Sequence, residues 1–205
     1  MSVSEISNEK SNKNKGTGAG GVLTNVNGKS FESKTDNTEK LKRDGYLYVP
    51  FDGKDGTKYL SKSFEDKTIT FLKQQEFIKY MKSKYDKVMF RRPDEAYVIE
   101  YKNGDKCLKV IEKKNQTVDG SVIEKCIGSS NIREEYKEAL KYEEELDNEW
   151  TVKYCLCVSL FLKKKFESES KKYIIWNKIW EEQKIDVFSG EAPDYETNIN
   201  KWINQ

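Results

Sequence analysis

The sequence predicts an α/β fold in which helices pack on a mixed β-sheet, and two observations lead to this prediction. Short runs rich in β-branched and aromatic residues alternate with longer segments whose apolar residues recur at helical spacing. In addition, AYVIEY and CLKVIEKK are separated by KNGD, whose Asn103-Gly104 pair favours a tight turn, so we expect a hairpin over about 95–116. The predicted order is helix, β-meander, helix, strand, helix, strand, with accessory elements before the hairpin.

The other elements follow from the same periodicities. We expect a first helix over 28–42 with Asn27 as its cap, strands at 46–51 and 68–72, and a helix at 74–85. After the hairpin, GSVIEKCI indicates a short helix and NIREEYKEALKYEEEL a longer one. TVKYCLCVSLFL is almost continuously apolar, which is typical of a central strand covered on both faces. SESKKYIIWNKIWEEQ then predicts a helix, and IDVFSG a short closing strand.

The length of 205 residues suits one domain. Residues 1–20 read as a flexible arm and 21–205 as a single domain, with GTGAGG a flexible entry because it lacks the lysine-serine ending of a phosphate-binding loop. No apolar run approaches the roughly 20 residues of a membrane span, and the N-terminus has no signal-peptide pattern. We therefore expect a soluble, cytoplasmic protein with no membrane partner.

Charge and rare residues restrict the chemistry. The 37 basic and 35 acidic residues nearly cancel, so any surface for nucleic acid must come from local clustering. The chain has no histidine, and its four cysteines show no CxxC spacing. Histidine nucleases, most zinc modules and Ser-His-Asp or Cys-His catalysis are thereby excluded. Carboxylates and lysines remain as polar catalysts, and the cysteines, including Cys155 and Cys157, read as reduced core residues.

One set of carboxylates and a lysine can meet at the end of the hairpin. The strand period of two puts Glu112 and Lys114 on one face of KVIEKKNQ, and the hairpin returns Glu112 toward Asp94. Two carboxylates suit a hard cation, and a lysine supplies positive charge beside a phosphate. The alternatives are an exposed edge strand with solvated charges and a simple Pro-Asp turn. A second copy, Glu100 to Lys102, fails because Glu100 lies on the same strand as Asp94.

These segments resemble the PD-(D/E)xK nuclease superfamily, with Pro93-Asp94 as the first half-motif and Glu112-Lys113-Lys114 as the second. The resemblance covers roughly residues 20–190 and implies a restriction-endonuclease-like core. It implies Asp94 and Glu112 as Mg²⁺ ligands, with Mn²⁺ as a substitute, and the main-chain carbonyl of Lys113 as a third ligand. Lys114 would place or activate water, and Glu32 matches a glutamate that many members carry on the first helix.

Within the superfamily, RRPDEAYVIE, KVIEKKNQ and GSVIEK look most like type II restriction endonucleases. That similarity implies cleavage of double-stranded DNA at a short sequence by a homodimer, with Gln116 and Glu124 supporting the site. The alternatives are a repair, recombination or structure-selective nuclease of the same fold, and a noncatalytic DNA-binding protein.

Further side chains are candidates for DNA contact. Arg91 and Arg92 can clamp a phosphate or form a solvated pair. Lys163, Lys164 and Lys165 can follow the DNA backbone or form a solvated junction between a strand and a helix. Trp176 and Trp180 can stack on bases, although such a stripe is usually core.

Overall fold

A computed structural model describes residues 21–51, 58–118, 120–142 and 150–205, with side chains from residue 28 onward. Seven strands form one mixed sheet in the order β1 to β7. The strands are β1 (Leu47–Pro50), β2 (Lys58–Ser63), β3 (Lys67–Leu72), β4 (Glu95–Tyr101), β5 (Lys106–Lys114), β6 (Trp150–Val158) and β7 (Ile185–Ser189). Neighbours are antiparallel from β1 to β5, whereas β5, β6 and β7 run parallel. The α/β class with a mixed sheet is therefore confirmed.

Helices cover both faces of this sheet. They are α1 (Gly21–Lys34), α2 (Thr38–Arg43), α3 (Gln74–Tyr85), α4 (Val122–Ile127), α5 (Ser129–Lys141), α6 (Leu160–Phe166), α7 (Lys171–Glu182) and α8 (Tyr195–Asn204). One hydrophobic core joins the sheet to α3, α4, α5, α6 and α7. A second core, on the opposite face, joins it to α1, α2 and α8. A sheet covered on both faces explains why its central strands are almost continuously apolar.

The hairpin forms as predicted. Strand β4 is antiparallel to β5, and Glu95 lies opposite Ile111 in the register. Gly104 adopts a φ of +95°, a conformation that residues with a Cβ rarely adopt, which accounts for glycine at this turn. Leu108 and Val110 face the α5 side, whereas Cys107 and Ile111 face the α1 side, so the predicted alternation of β5 is confirmed.

The predicted first helix over 28–42 is wrong in its bounds. The chain forms α1 from Gly21 to Lys34, breaks, and forms α2 from Thr38 to Arg43; Asn27, the expected cap, lies within α1. At the break the Thr35 hydroxyl donates to the Phe31 carbonyl at 2.8 Å, and Asn37 bonds to Glu95 on the sheet. A tertiary contact 58 residues away in sequence thus interrupts a helix that local spacing would continue.

The apolar run TVKYCLCVSLFL is also not one strand. Strand β6 ends at Val158, and Leu160 begins α6. Leu162 and Phe166 are buried four positions apart, so the apolar residues after Ser159 pack as one face of a helix. A continuous apolar run does not by itself distinguish a buried strand from a buried helix, and this run contains part of each.

Two elements were not predicted, and one interpretation needs correction. Strand β2 and helix α8 have no counterpart in the sequence prediction. The segment over 46–85 was expected to be accessory, but β3 pairs with β4 along its whole length, so these strands extend the main sheet. The predicted arm over 1–20 and the end of the helix predicted after Lys141 lie largely outside the described residues. Among the helices described, none is long and apolar enough to cross a membrane.

Candidate active site

The two half-motifs lie side by side at the ends of adjacent strands. Asp94 immediately precedes β4, and because Glu95 pairs with Ile111, Asp94 lies at the level of Glu112. The backbone N–H of Lys113 donates to Asp94 Oδ2 at 2.7 Å. The sequence prediction that the hairpin returns Glu112 to Asp94 is thus confirmed.

Glu112 and Lys114 form an ion pair through Glu112 Oε1 and Lys114 Nζ, on the face of β5 that also carries Val110. Each side chain is 22% exposed. Burial raises the pKa of Glu112, and the charge of Asp94 raises it further against the opposing charge of Lys114. Burial alone would lower the pKa of Lys114, but Glu112 and Asp94 outweigh it, so that pKa is raised. Lys114 is therefore a charged ammonium at neutral pH.

Glu32 on α1 lies beside Asp94. Both line a cavity of about 500 Å³ between α1 and the N-terminus of α3, together with Lys29, Ser33, Asp36, Lys73, Gln74, Gln75, Glu76 and Lys113. Burial raises the pKa of Glu32, and the charge of Asp94 raises it further, while Lys113 and Lys114 partly offset both. The structure thus brings the candidate from the first helix close to the two half-motifs.

The side chain of Lys113 points away from Glu112 and enters a buried polar network on the α1 side of the sheet. Its Nζ lies 2.7 Å from Glu95 Oε1 and donates to the Thr35 carbonyl at 2.8 Å. Asn37 completes the network, because its backbone N–H and its Nδ2 donate to the two oxygens of Glu95 at 3.0 and 2.6 Å. The network attaches the α1–α2 junction to the strands that carry the half-motifs.

Sequence reasoning missed this network. It assigned Lys113 only a carbonyl ligand and gave Glu95 and Asn37 no contact on the sheet. A signal was present, since Lys113 falls on the inward face of β5 by its period of two, where a lysine needs a partner. Nothing local, however, identifies Glu95 as that partner.

Gln116 supports the end of β5 through hydrogen bonds to Ser159 and to the Val118 carbonyl, and not through contact with the candidate carboxylates. Its backbone N–H donates to the Ser159 hydroxyl oxygen at 3.2 Å, and that hydroxyl donates to the Gln116 carbonyl at 2.7 Å. Its Nε2 donates to the Val118 carbonyl. Glu124 on α4 is exposed. Gln116 therefore links β5 to the turn after β6.

Arg91 lies near the site but already has a partner. Its Nε donates to Glu135 Oε2 at 2.7 Å, and this hydrogen bond raises the pKa of Arg91. The positive charge of Arg91 lowers the pKa of Glu112 by a small amount, which indicates that Arg91 lies close to the site. Arg92 is exposed.

Two tyrosines on the α5 side were also missed by sequence reasoning. Tyr136 and Tyr154 are buried, and burial, followed by the charge of Glu112, raises the pKa of both. The Tyr154 hydroxyl has no hydrogen-bond partner among the described residues. An apolar wall with a free hydroxyl therefore lies behind Glu112.

Four of the remaining candidates pack as structural side chains. Cys155 and Cys157 are buried and free, and Trp180 is 2% exposed against Phe166. Lys163 donates from Nζ to the Val187 carbonyl at 2.9 Å. The core interpretation is confirmed for the cysteines and for Trp180.

Within the described part of the chain, no group of three or more acidic or thiol side chains is close enough to hold a metal ion. Mg²⁺ is nevertheless commonly held by one or two carboxylates, with water and substrate phosphate completing its ligands. Asp94 and Glu112 supply that number, and the pKa of Glu112 is raised first by burial and then by the charge of Asp94, a repulsion that a cation would relieve. The donor set fits Mg²⁺ in its oxygen chemistry.

Comparisons with family models, with curated proteins and with solved structures find no match for this chain. The resemblance to PD-(D/E)xK nucleases therefore depends on the motif residues themselves.

Proposed function

We propose that this chain is a Mg²⁺-dependent endonuclease that hydrolyses double-stranded DNA in the manner of a type II restriction enzyme. One observation carries the proposal: Asp94 and the Glu112–Lys114 ion pair meet at the ends of two adjacent strands. Two acidic side chains and one ammonium are the groups that phosphodiester hydrolysis assisted by a hard cation requires.

Each side chain has a distinct role in this proposal. Asp94, Glu112 and the Lys113 carbonyl would hold Mg²⁺, which when bound supplies a Lewis acid for the scissile phosphate. Lys114 stabilises the negative charge that develops on the phosphate, because its raised pKa keeps it charged. The same raised pKa argues against Lys114 as a general base. Glu112 orients the ammonium through their ion pair.

Glu32 supports the site from α1. Its pKa is raised by burial and by Asp94, so it acquires a proton more readily than an exposed glutamate. A carboxyl beside Asp94 can accept a hydrogen bond from water or, when ionised, add negative charge for a cation. We assign Glu32 a supporting role because it lies on a different element from the strand residues.

DNA contact would be local. The net charge of +2 provides no broad attraction, so binding depends on basic side chains near the site, with Arg91 and Arg92 the candidates. Arg91 must exchange Glu135 for a phosphate to contribute. Cleavage of both strands further calls for two copies of the site, which a homodimer supplies.

Incubation of supercoiled plasmid with the full-length protein tests the proposal. We expect nicked or linear DNA with Mg²⁺ or Mn²⁺ and none with a chelator. Asp94→Asn, Glu112→Gln and Lys114→Gln should each reduce the rate by roughly a hundredfold or more. Glu100→Gln is the matched control, since Glu100 on β4 belongs to the second ExK copy and pairs with Lys84 on α3. It should cut like the wild type.

The outcomes separate the alternatives. Cleavage of intact plasmid at fixed positions supports the restriction-like form, and cleavage restricted to branched or unpaired DNA supports a structure-selective nuclease. DNA binding without nicking at any metal concentration leaves a noncatalytic DNA-binding protein. Equal activity of Asp94→Asn and the wild type refutes the assigned site.

A further inference from the structure

Helix α7 presents apolar side chains to solvent at the edge of the sheet. It packs beside β7, the last strand in the sheet order, through Trp180 and the partly buried Tyr173 and Trp176. On its outer side Ile175 is 56% exposed and Ile179 is 37% exposed. Isoleucines spaced four apart lie one above the other on a helix, so they form a continuous apolar stripe.

Charged residues occupy the two ends of the same stripe. Lys171 lies one turn before Ile175, and Glu182 lies one turn after Ile179. Neither Lys171 nor Glu182 forms an ion pair with any other residue that the structure describes. The stripe therefore reads, along the helix, as basic, apolar, apolar and acidic.

We propose that this stripe of α7, defined by Lys171, Ile175, Ile179 and Glu182, is the contact surface for a second copy of this chain. A two-fold axis at the middle of α7 would align the two helices antiparallel, with Ile175 of one copy against Ile179 of the other. The same rotation sets Lys171 of each copy against Glu182 of the other. Two-fold interfaces require this self-complementarity.

Charge complementarity is the reason for selecting a second copy as the occupant. A nucleic acid would be repelled by Glu181 and Glu182 at the acidic end. A purely apolar partner would leave both charged ends unpaired. When a second α7 lies antiparallel to the first, the basic end of each stripe faces the acidic end of the other.

The size of the helix sets the expected strength. Twelve residues span about 18 Å, and one face of a helix that is about 10 Å wide offers much less than the roughly 800 Å² that each partner of a stable complex buries. We therefore expect a reversible dimer whose population rises with protein concentration. This inference does not rest on the nuclease proposal, since it involves neither DNA nor a metal.

Sedimentation equilibrium of the full-length chain over roughly a hundredfold range of concentration is the test. The wild type should shift from monomer to dimer. Ile175→Glu should raise the dissociation constant at least about tenfold, because a two-fold interface contains the substitution twice. Leu47→Glu is the control, since Leu47 is 71% exposed on β1 at the opposite end of the sheet order and should leave the dimer unchanged.

A charge exchange distinguishes this pairing from other dimers. Lys171→Glu and Glu182→Lys should each weaken association, because each sets like charges against each other across the axis. The double variant should recover to within about threefold of the wild type, because the ion pairs reform with reversed polarity. A monomer at every concentration overturns the proposal, as does a dimer that resists Ile175→Glu or a double variant without recovery. Circular dichroism establishes that each variant is folded.

Discussion

Lys113 Nζ lies 2.7 Å from Glu95 Oε1, and these side chains are only 3% and 0% exposed. Each residue adjoins a candidate catalytic side chain, since Glu95 follows Asp94 and Lys113 lies between Glu112 and Lys114. Strand alternation separates the two sets onto opposite faces of the sheet. The buried pair thus fixes the backbone of both half-motifs from the α1 side of the sheet, where Lys113 also lines the cavity beside Glu32 and Asp94.

Removing either partner of this pair should strongly destabilise the fold. Glu95→Gln leaves the Lys113 ammonium buried without its counter-charge, and Lys113→Met leaves Glu95 in the same condition. We expect each to lower the free energy of unfolding by about 3–5 kcal/mol, and the double variant to lose less than the sum. Urea denaturation measures all three. Lys82→Met, at an exposed ion pair with Asp86, should leave the midpoint unchanged. Additive losses would mean that the two side chains are not coupled.

Two glycines should respond to alanine with opposite signs. A Cβ at Gly190 would lie 2.5 Å from Thr35 Cγ2 and 2.8 Å from Phe31 Cζ, so α1 must move away from the turn after β7. We expect Gly190→Ala to destabilise by about 1–3 kcal/mol. A Cβ at Gly28, within α1, meets nothing within 4 Å, so Gly28→Ala should stabilise by about 0.5–1 kcal/mol.

Thermal denaturation of the two variants beside the wild type measures this difference. If the proposed function is correct, Gly190→Ala should also slow cleavage, because α1 carries Glu32 into the site. A Gly190→Ala protein as stable as the wild type would indicate that α1 does not pack closely against this turn.

Local pattern predicted the fold where a segment's own residues determine its structure. The hairpin followed from its turn and its period of two, and α3 from its helical spacing. The α1–α2 break could not be predicted in the same way, because Asn37 leaves the helix to bond with Glu95 on a distant strand. The end of β6 at Val158 was missed because a continuous run of apolar residues is equally compatible with a buried strand and with a buried helix.

The candidate site likewise contains residues that the sequence could bring together and residues that it could not. Asp94, Glu112 and Lys114 could be brought together from sequence alone, because one hairpin carries all three. Glu32 came from resemblance to a family, and its position near Asp94 depends on how α1 packs. Tyr136 and Tyr154 carry no local signal, since an aromatic residue in a helix or strand usually reads as core.

Stability should depend on pH through Lys109. This side chain is fully buried and donates from Nζ to the carbonyls of Trp202 and Ile203 at 2.7 and 3.0 Å. Burial, with a smaller contribution from Lys153, lowers the pKa of Lys109 to about 8. Between that value and the ordinary lysine pKa of 10.5, the unfolded chain binds more protons than the folded chain. Lys109 therefore adds stability as the pH rises through this interval.

The comparison that isolates this effect is the melting temperature of the wild type minus that of Lys109→Met. We expect the difference to grow in favour of the wild type from about pH 8 to about pH 10. Subtraction is needed because burial raises the pKa of Cys157, which makes stability fall with pH over part of the same range. Lys102→Met, exposed in the turn between β4 and β5 and without a contribution to the Lys109 pKa, is the control and should run parallel to the wild type. A constant difference would mean that Lys109 does not titrate there.

The metal requirement of cleavage should depend on pH through Glu112. Burial and Asp94 raise the pKa of this carboxyl, so a proton competes with a cation at higher pH than at an exposed glutamate. We expect the half-saturating Mg²⁺ concentration to rise by about tenfold per pH unit below the Glu112 pKa. Plasmid nicking rates over a Mg²⁺ series at several pH values give this curve.

Glu32→Gln separates the contribution of its own raised pKa from that of Glu112. If Glu112 is the titrating ligand, this variant should retain the slope while its maximal rate falls. A half-saturating concentration that does not change with pH would argue that Glu112 binds no cation, even if plasmid is still cut. If the slope is lost in Glu32→Gln, the carboxyl that titrates is Glu32 and not Glu112, because Glu32 is the only ionisable group that this variant lacks.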